Sequence, residues 1–159
     1  MPGGPAALSI APEGPFQDDV LALLAQSDAF SAALYPPESN HAIDAQALAQ
    51  PAVRFFVARI DGAAVGCAGL VLGSAGEAEL KRMFVAESIR GRGVGFRLLA
   101  AVETAAWREG VRVLRLETGA ASAGALALYR RAGYRERGPF GGYVSDPLSV
   151  FMERELSAS

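Results

Sequence analysis

Apolar positions along the chain change their period several times, and each change predicts an element. Between Asp18 and Leu34, Val20, Leu21, Leu23, Leu24 and Phe30 recur at spacings that place them on one side of a helix. Pro36-Pro37 ends it, because proline lacks the amide and restrains the residue before it. Asp44 is placed to cap a short helix through Gln50, which Pro51 closes. Val53 to Ile60 is rich in β-branched and aromatic residues and predicts a strand. Asp61-Gly62 is a hairpin turn signal, and Ala63 to Leu72 is the partner strand. A Gly-Ser-Ala-Gly loop leads to a third antiparallel strand, Glu77 to Val85.

From Gly93 to Arg108 the period is helical, with Val94, Leu98, Leu99, Val102 and Ala106 on one stripe and Gly110 as the stop. Val111 to Glu117 then reads as a strand parallel to the one before the helix, a β-α-β unit. Ser122 to Ala132 predicts a second helix ended by Gly133. Tyr134–Arg137 and Leu148–Glu153 read as closing strands around a Gly-rich loop. Leu8-Ser9-Ile10 is a short first strand, and residues 1–7, rich in Gly, Pro and Ala, are expected to be flexible. The expected fold is α+β: one domain over residues 8–159, a mixed sheet with helices packed on it.

Composition narrows the function more than the fold. The 159 residues suit one core, and 51% hydrophobic with 20% charged residues is an ordinary globular balance. With 15 basic and 17 acidic residues the net charge is −2, so no nucleic-acid or membrane-surface partner is expected. Any anion site must be local. Cys67 and His41 are the only residues of their kinds, which leaves no intrachain disulfide and no cysteine-rich metal site and removes most zinc and Ser-His-Asp arrangements, so no metal is expected. No apolar run approaches the roughly 20 residues that span a bilayer. Met1 to Pro5 lacks a basic start and an apolar stretch, so a cytoplasmic location is expected.

The junction between the Glu77–Val85 strand and the following helix carries the chemistry. A helix start presents amides with no internal partners and the positive end of the macrodipole. Glycines there let backbone approach an anion, and Arg90-Gly91-Arg92-Gly93-Val94-Gly95 supplies three of them with two cations. No lysine or Ser/Thr follows Gly95, so this is no P-loop, and Phe96 stands where a dinucleotide fingerprint needs its third glycine.

Arg90-x-x-Gly93-x-Gly95 resembles the [QR]-x-x-G-x-[GA] signature of the GNAT superfamily of N-acetyltransferases. Lys81-Arg82-Met83-Phe84-Val85 before it and Leu98-Leu99 after it fit the same motif. Ala125-x-x-Leu128-Tyr129-x-x-x-Gly133-Tyr134 is similar to that family's second cofactor motif. Leu116-Glu117-Thr118-Gly119 and the Asp146–Met152 segment further resemble a bacterial subgroup of small GNAT enzymes. The resemblance spans about residues 8 to 156.

It implies a mostly antiparallel central sheet whose fourth and fifth strands splay apart, with acetyl-CoA as co-substrate and no metal. The amides of Arg90, Gly91, Arg92, Gly93, Val94 and Gly95 would wrap the pyrophosphate, and the edge at Met83, Phe84 and Val85 would pair with the pantetheine arm. An amide near Val85 would meet the thioester oxygen. Where family members often carry Asn, this chain has Ser122, suited to the pantetheine or to capping the helix.

Acetyl transfer to an amine also needs a base for the ammonium and a donor for the departing thiolate. The resemblance assigns Tyr129 as donor and Glu79 as base, with Glu117 on the adjacent strand as the alternative. Arg82, alternating with Glu79 and Lys81, is a candidate to face the cleft and bind a substrate carboxylate. Tyr35 and His41 lie where such folds place the acceptor-covering loop. Cys67, in an apolar run, reads as core, which favours direct transfer in a ternary complex. The expected acceptor is a primary amine of a small molecule, with a protein N-terminus or lysine, or a non-catalytic acyl-CoA sensor, as alternatives. A homodimer is compatible with the resemblance.

Overall fold

The computed structural model describes residues 7–158, so most of the segment expected to be flexible lies outside the described residues. Its elements are β1 (Leu8–Pro12), α1 (Asp18–Leu34), α2 (Ala45–Leu48), β2 (Val53–Ile60), β3 (Ala63–Leu72), β4 (Glu77–Val85), α3 (Val94–Arg108), β5 (Val113–Gly119), α4 (Ala123–Arg131), β6 (Arg135–Arg137) and β7 (Ser149–Glu155). The strands form one seven-stranded sheet in the order β1-β2-β3-β4-β5-β7-β6. Only β4 and β5 run parallel; every other neighbouring pair is antiparallel.

Local chemistry explains most boundaries. Asp61 and Gly62 both take positive φ, 50° and 85°, as a tight hairpin between β2 and β3 requires. Asp44 caps α2 through its carboxylate, which accepts from the Ala47 amide at 2.9 Å. Gly110 and Gly133 follow α3 and α4 with φ of 87° and 96°, conformations that side chains resist.

The sheet separates two apolar layers. On one face, Val94, Leu98, Leu99, Val102 and Ala106 of α3 are all buried against Leu70, Leu80, Leu114, Leu116 and Met152. On the other, Val20, Leu23 and Leu24 of α1 pack with Leu48, Phe55, Val57, Cys67 and Phe84. Only the first half of α1 is seated this way. Leu21 and Phe30, part of the apolar stripe read from the sequence, are 39% and 41% exposed, and the second half of the helix overhangs the sheet. β5 starts two residues later than expected. Arg112 and Val113 both donate to the Gly76 carbonyl, which holds the chain in a turn before pairing begins.

One irregularity positions the site. Cys67 pairs with Phe84 and Gly69 with Lys81, so Arg82 and Met83 together oppose Ala68. This is a β-bulge, and Arg82 sits in it with φ 57°. The extra residue inverts the side-chain alternation of β4. Ala78 and Leu80 face α3 before the bulge, while Met83 and Val85 do so after it. Among the described residues no helix is long and apolar enough to cross a membrane.

Candidate functional site

β4 and β5 pair only from Glu77–Val113 to Leu80–Leu116. Beyond Leu116, β5 continues to Gly119 bonded to β7 alone, and β4 continues to Val85 bonded to β3 alone. The two strands therefore diverge, as the resemblance implies. A cavity of about 590 Å³ opens in the gap and runs from the Gly91–Gly95 turn past Glu117, Ser122 and Tyr129 to Tyr35 and His41.

The turn before α3 leaves its backbone open. Gly91 and Gly93 adopt φ of 83° and 79°, and a Cβ at either would meet nothing within 4 Å, so backbone faces open space there. Gly95 is different: a Cβ there would crowd Leu128 Cδ2 of α4 at 3.3 Å and come into ordinary contact with Val85 Cγ2 of β4 at 3.5 Å. α3 begins at Val94, so this close approach falls in its first turn. Arg90 folds back from the turn: its Nε donates to the Val85 carbonyl at 3.0 Å, and its guanidinium lies 4.7 Å from the Phe30 ring centroid and 5.3 Å from that of Phe84. Arg92 is exposed and does not border the cavity.

Val85 ends β4. Because the Ala86 amide donates to Val65 on β3, the amide one residue back points to the opposite edge, toward the gap. Met83 and Phe84 also line the cavity.

Tyr129 and Glu117 reach the cavity from α4 and β5. The Tyr129 ring packs edge-on to Tyr134, with centroids 5.8 Å apart. Burial, and secondarily the Glu117 charge, hold its hydroxyl well above the usual phenol range, so it stays protonated near neutrality. Burial likewise raises Glu117 above the ordinary carboxylate value. Among the described residues Glu117 is the one carboxylate that lines this cavity, and it makes no ion pair.

Glu79 is not brought to the cavity. Its carboxylate accepts from the Tyr143 hydroxyl at 2.5 Å and pairs with Lys81 Nζ at 3.3 Å. Lys81 also donates to Tyr143 and, at 2.9 Å, to the His41 carbonyl. This cluster ties the β6–β7 loop and the α1–α2 loop to β4.

Arg82 borders the cavity but is engaged on its far side. The bulge turns it toward α1, where its guanidinium pairs with Asp28 at 2.6 Å and donates to the Leu24 carbonyl at 3.1 Å. With its side chain only 5% exposed it borders the cavity without offering a free cation.

Ser122 does not cap α4. Its hydroxyl meets the Tyr35 hydroxyl at 2.7 Å, so the end of α1 is joined to the start of α4 across the cavity. Gly119 permits this, since a Cβ there would overlap the Tyr35 hydroxyl. His41 lines the cavity edge-on to Tyr143 at 5.2 Å. Sequence reading missed Tyr143, Asp28 and Gly119. The glycine directly after Leu116-Glu117-Thr118 was the signal available for the last, because a strand tolerates glycine poorly unless something approaches it closely.

The Acetyltransferase (GNAT) family model matches residues 20–134. The IAA acetyltransferase of Azospirillum brasilense is 47% identical over 150 residues, covering 94% of this chain and 98% of that protein. The uncharacterized N-acetyltransferase YsnE of Bacillus subtilis is 33% identical, over 76% of this chain and 82% of its own length. A solved Klebsiella pneumoniae protein designated an acyl-CoA N-acyltransferase superposes with a TM-score of 0.80 at 37% identity, covering 94% of this chain and 98% of that one. The PaiA N-acetyltransferase of Thermoplasma acidophilum, solved in complex with coenzyme A, shares the fold with a TM-score of 0.73 at 16% identity, over 94% and 99% of the two chains. The chain belongs to the GNAT family of acetyltransferases and is an N-acetyltransferase.

Proposed function

We propose that this protein transfers the acetyl group of acetyl-CoA to the primary amine of a small molecule, directly, within a ternary complex. The observation that carries this reading is the continuity of the cavity. One opening links a turn of free backbone at the start of α3 to a phenol and a carboxylate in the gap between β4 and β5. A ligand with phosphates at one end and a thioester at the other fits that run.

In this reading the backbone of Gly91 to Gly95 receives the pyrophosphate, and the free edge at Met83 to Val85 takes the pantetheine as an added strand. Ser122 is placed to contact that arm if Tyr35 yields. The Val85 amide, turned to the gap, suits the thioester oxygen, whose negative charge grows during attack. Glu117 takes a proton from the substrate ammonium, and Tyr129 gives one to the thiolate.

The balance is closed. A C–N bond forms, the C–S bond breaks, and the ammonium loses two protons overall, one reaching the thiol and one the solvent. Cys67 supports direct transfer, because burial pushes its thiol up to about 12 and its Sγ donates to the Arg82 carbonyl inside the core.

Initial rates of CoA thiol release, with acetyl-CoA and an amine varied together, test the proposal. Intersecting double-reciprocal lines are expected. Parallel lines would replace direct transfer with an acetyl-enzyme, and coenzyme binding without turnover of any amine would make the protein a sensor.

A further inference from the structure

The acceptor end of the cavity offers a specific charge pattern. Cations come to it from β4, and both are paired with carboxylates, Arg82 keeping one buried N–H, at Nε, without a partner. Lys81 has an ammonium with three N–H groups and three partners: Glu79, Tyr143 and the His41 carbonyl. The Arg82 guanidinium is held between Asp28 and the Leu24 carbonyl. Two further arginines line the cavity, each set against aromatic rings. Arg90 is folded onto Phe30 and Phe84 beside the glycine turn, and Arg131 lies 4.8 Å from the ring centroid of Phe96, at the start of α3. His41 is packed edge-on to Tyr143. Ser27, Ser31, Ser39 and Asn40 contribute neutral polar groups. Against this background Glu117 faces the cavity without an ion-pair partner among the described residues.

We infer that the acceptor is an alkylammonium compound that carries no carboxylate near its amine, its cation drawn to Glu117 and its remaining polar groups met by hydroxyls and amides. This rests on the acetyltransfer reading above and names the substrate class of that site. The physical reason is compensation. A carboxylate entering beside Glu117 leaves its water, finds Lys81 and Arg82 already paired with other carboxylates, and lies close to the Glu117 charge. An ammonium loses its water at the same place but gains a carboxylate partner. The sequence pointed the other way, because Lys81 and Arg82 look available until their partners from other elements are seen.

Matched trios of amines test the inference: ethanolamine, serine and serine methyl ester, and phenethylamine, phenylalanine and its methyl ester. With acetyl-CoA, kcat/KM for the amine is expected to exceed that of the amino acid at least tenfold, with the ester close to the amine. Equal or better use of the amino acids overturns the inference and leaves acetyltransfer standing. Esters as poor as the acids also overturn it, since bulk and not charge would then decide. No thiol release across the whole panel overturns the acetyltransfer reading and this inference with it.

A second arm does not depend on turnover. Calorimetric titration of each trio into protein saturated with CoA should show the same preference, and Glu117→Gln should narrow it to within about threefold. Full discrimination retained in Glu117→Gln would remove Glu117 as its source.

Discussion

At position 119 the lack of a side chain lets Tyr35 lie across the cleft and reach Ser122. Gly119→Ala should push the ring aside, because the obstructed atoms belong to a side chain that can rotate. The lost hydrogen bond is expected to cost about 1 kcal/mol in urea unfolding, with a raised KM for the amine as the larger effect. Tyr129→Phe should lower kcat about tenfold or more while CoA affinity, by calorimetry, changes less than twofold. An equal loss in both would reduce Tyr129 to packing.

Glu117 yields a pH test with a defined sign. Its folded pKa is raised above the ordinary 4.5, so the folded state holds the proton more tightly than the unfolded chain. Stability is then lost as pH climbs from the ordinary value through the raised one. Glu117→Gln should be relatively more stable above that window than below it, measured by Tm across pH. In the wild type the acid limb of kcat/KM should lie above 4.5, since the base works only when deprotonated. The sequence singled out both Glu79 and Glu117 because both sit on strands bordering the gap. It could not separate them, since Tyr143, which engages Glu79, is 64 residues away in a loop without periodicity.

At the level of elements, periodicity served best where one continuous face is buried. All five residues of the α3 stripe are core. On β4 the alternation of Arg82 with Glu79 and Lys81 does not hold, because the bulge at Arg82 interrupts the two-residue period. Nothing in Lys81-Arg82-Met83 announces the extra residue, because arginine is an unusual occupant of φ 57°. A pair of substitutions should expose the strain. Arg82→Gly and Arg82→Ala both lose the Asp28 contact, but only glycine is at ease in that conformation. Arg82→Gly is expected to be the more stable by about 1 kcal/mol in urea titrations. The glycine turn was legible for the opposite reason: its glycines recur at every second position within five residues, and positive φ at Gly91 and Gly93 is a local demand. Gly95 proved to sit close against Leu128 of α4, a contact that no local pattern reveals.

For the whole molecule, strand content and the β-α-β unit were readable, whereas the insertion of β7 between β5 and β6 was not. That order depends on which partner best covers β5 in three dimensions. The assembled sheet also sets the response to acid. Arg59 holds Glu13 below the ordinary carboxylate range, and Arg137 and Arg115 do the same for Glu153 despite its burial. Depressed carboxylates contribute stability above their unfolded pKa and lose it as pH falls through the folded one. Tm is therefore expected to drop from about pH 5 downward, and Arg59→Met should flatten that part of the curve.

The bulge at Arg82 has a last consequence at this scale. It comes two residues after the final β4–β5 pair and puts β4 out of step with β3 by one residue. A zipper with a surplus tooth on one side bows at that tooth. The opening beside β4 belongs to the folded sheet, and a molecule entering it spends nothing on prising strands apart.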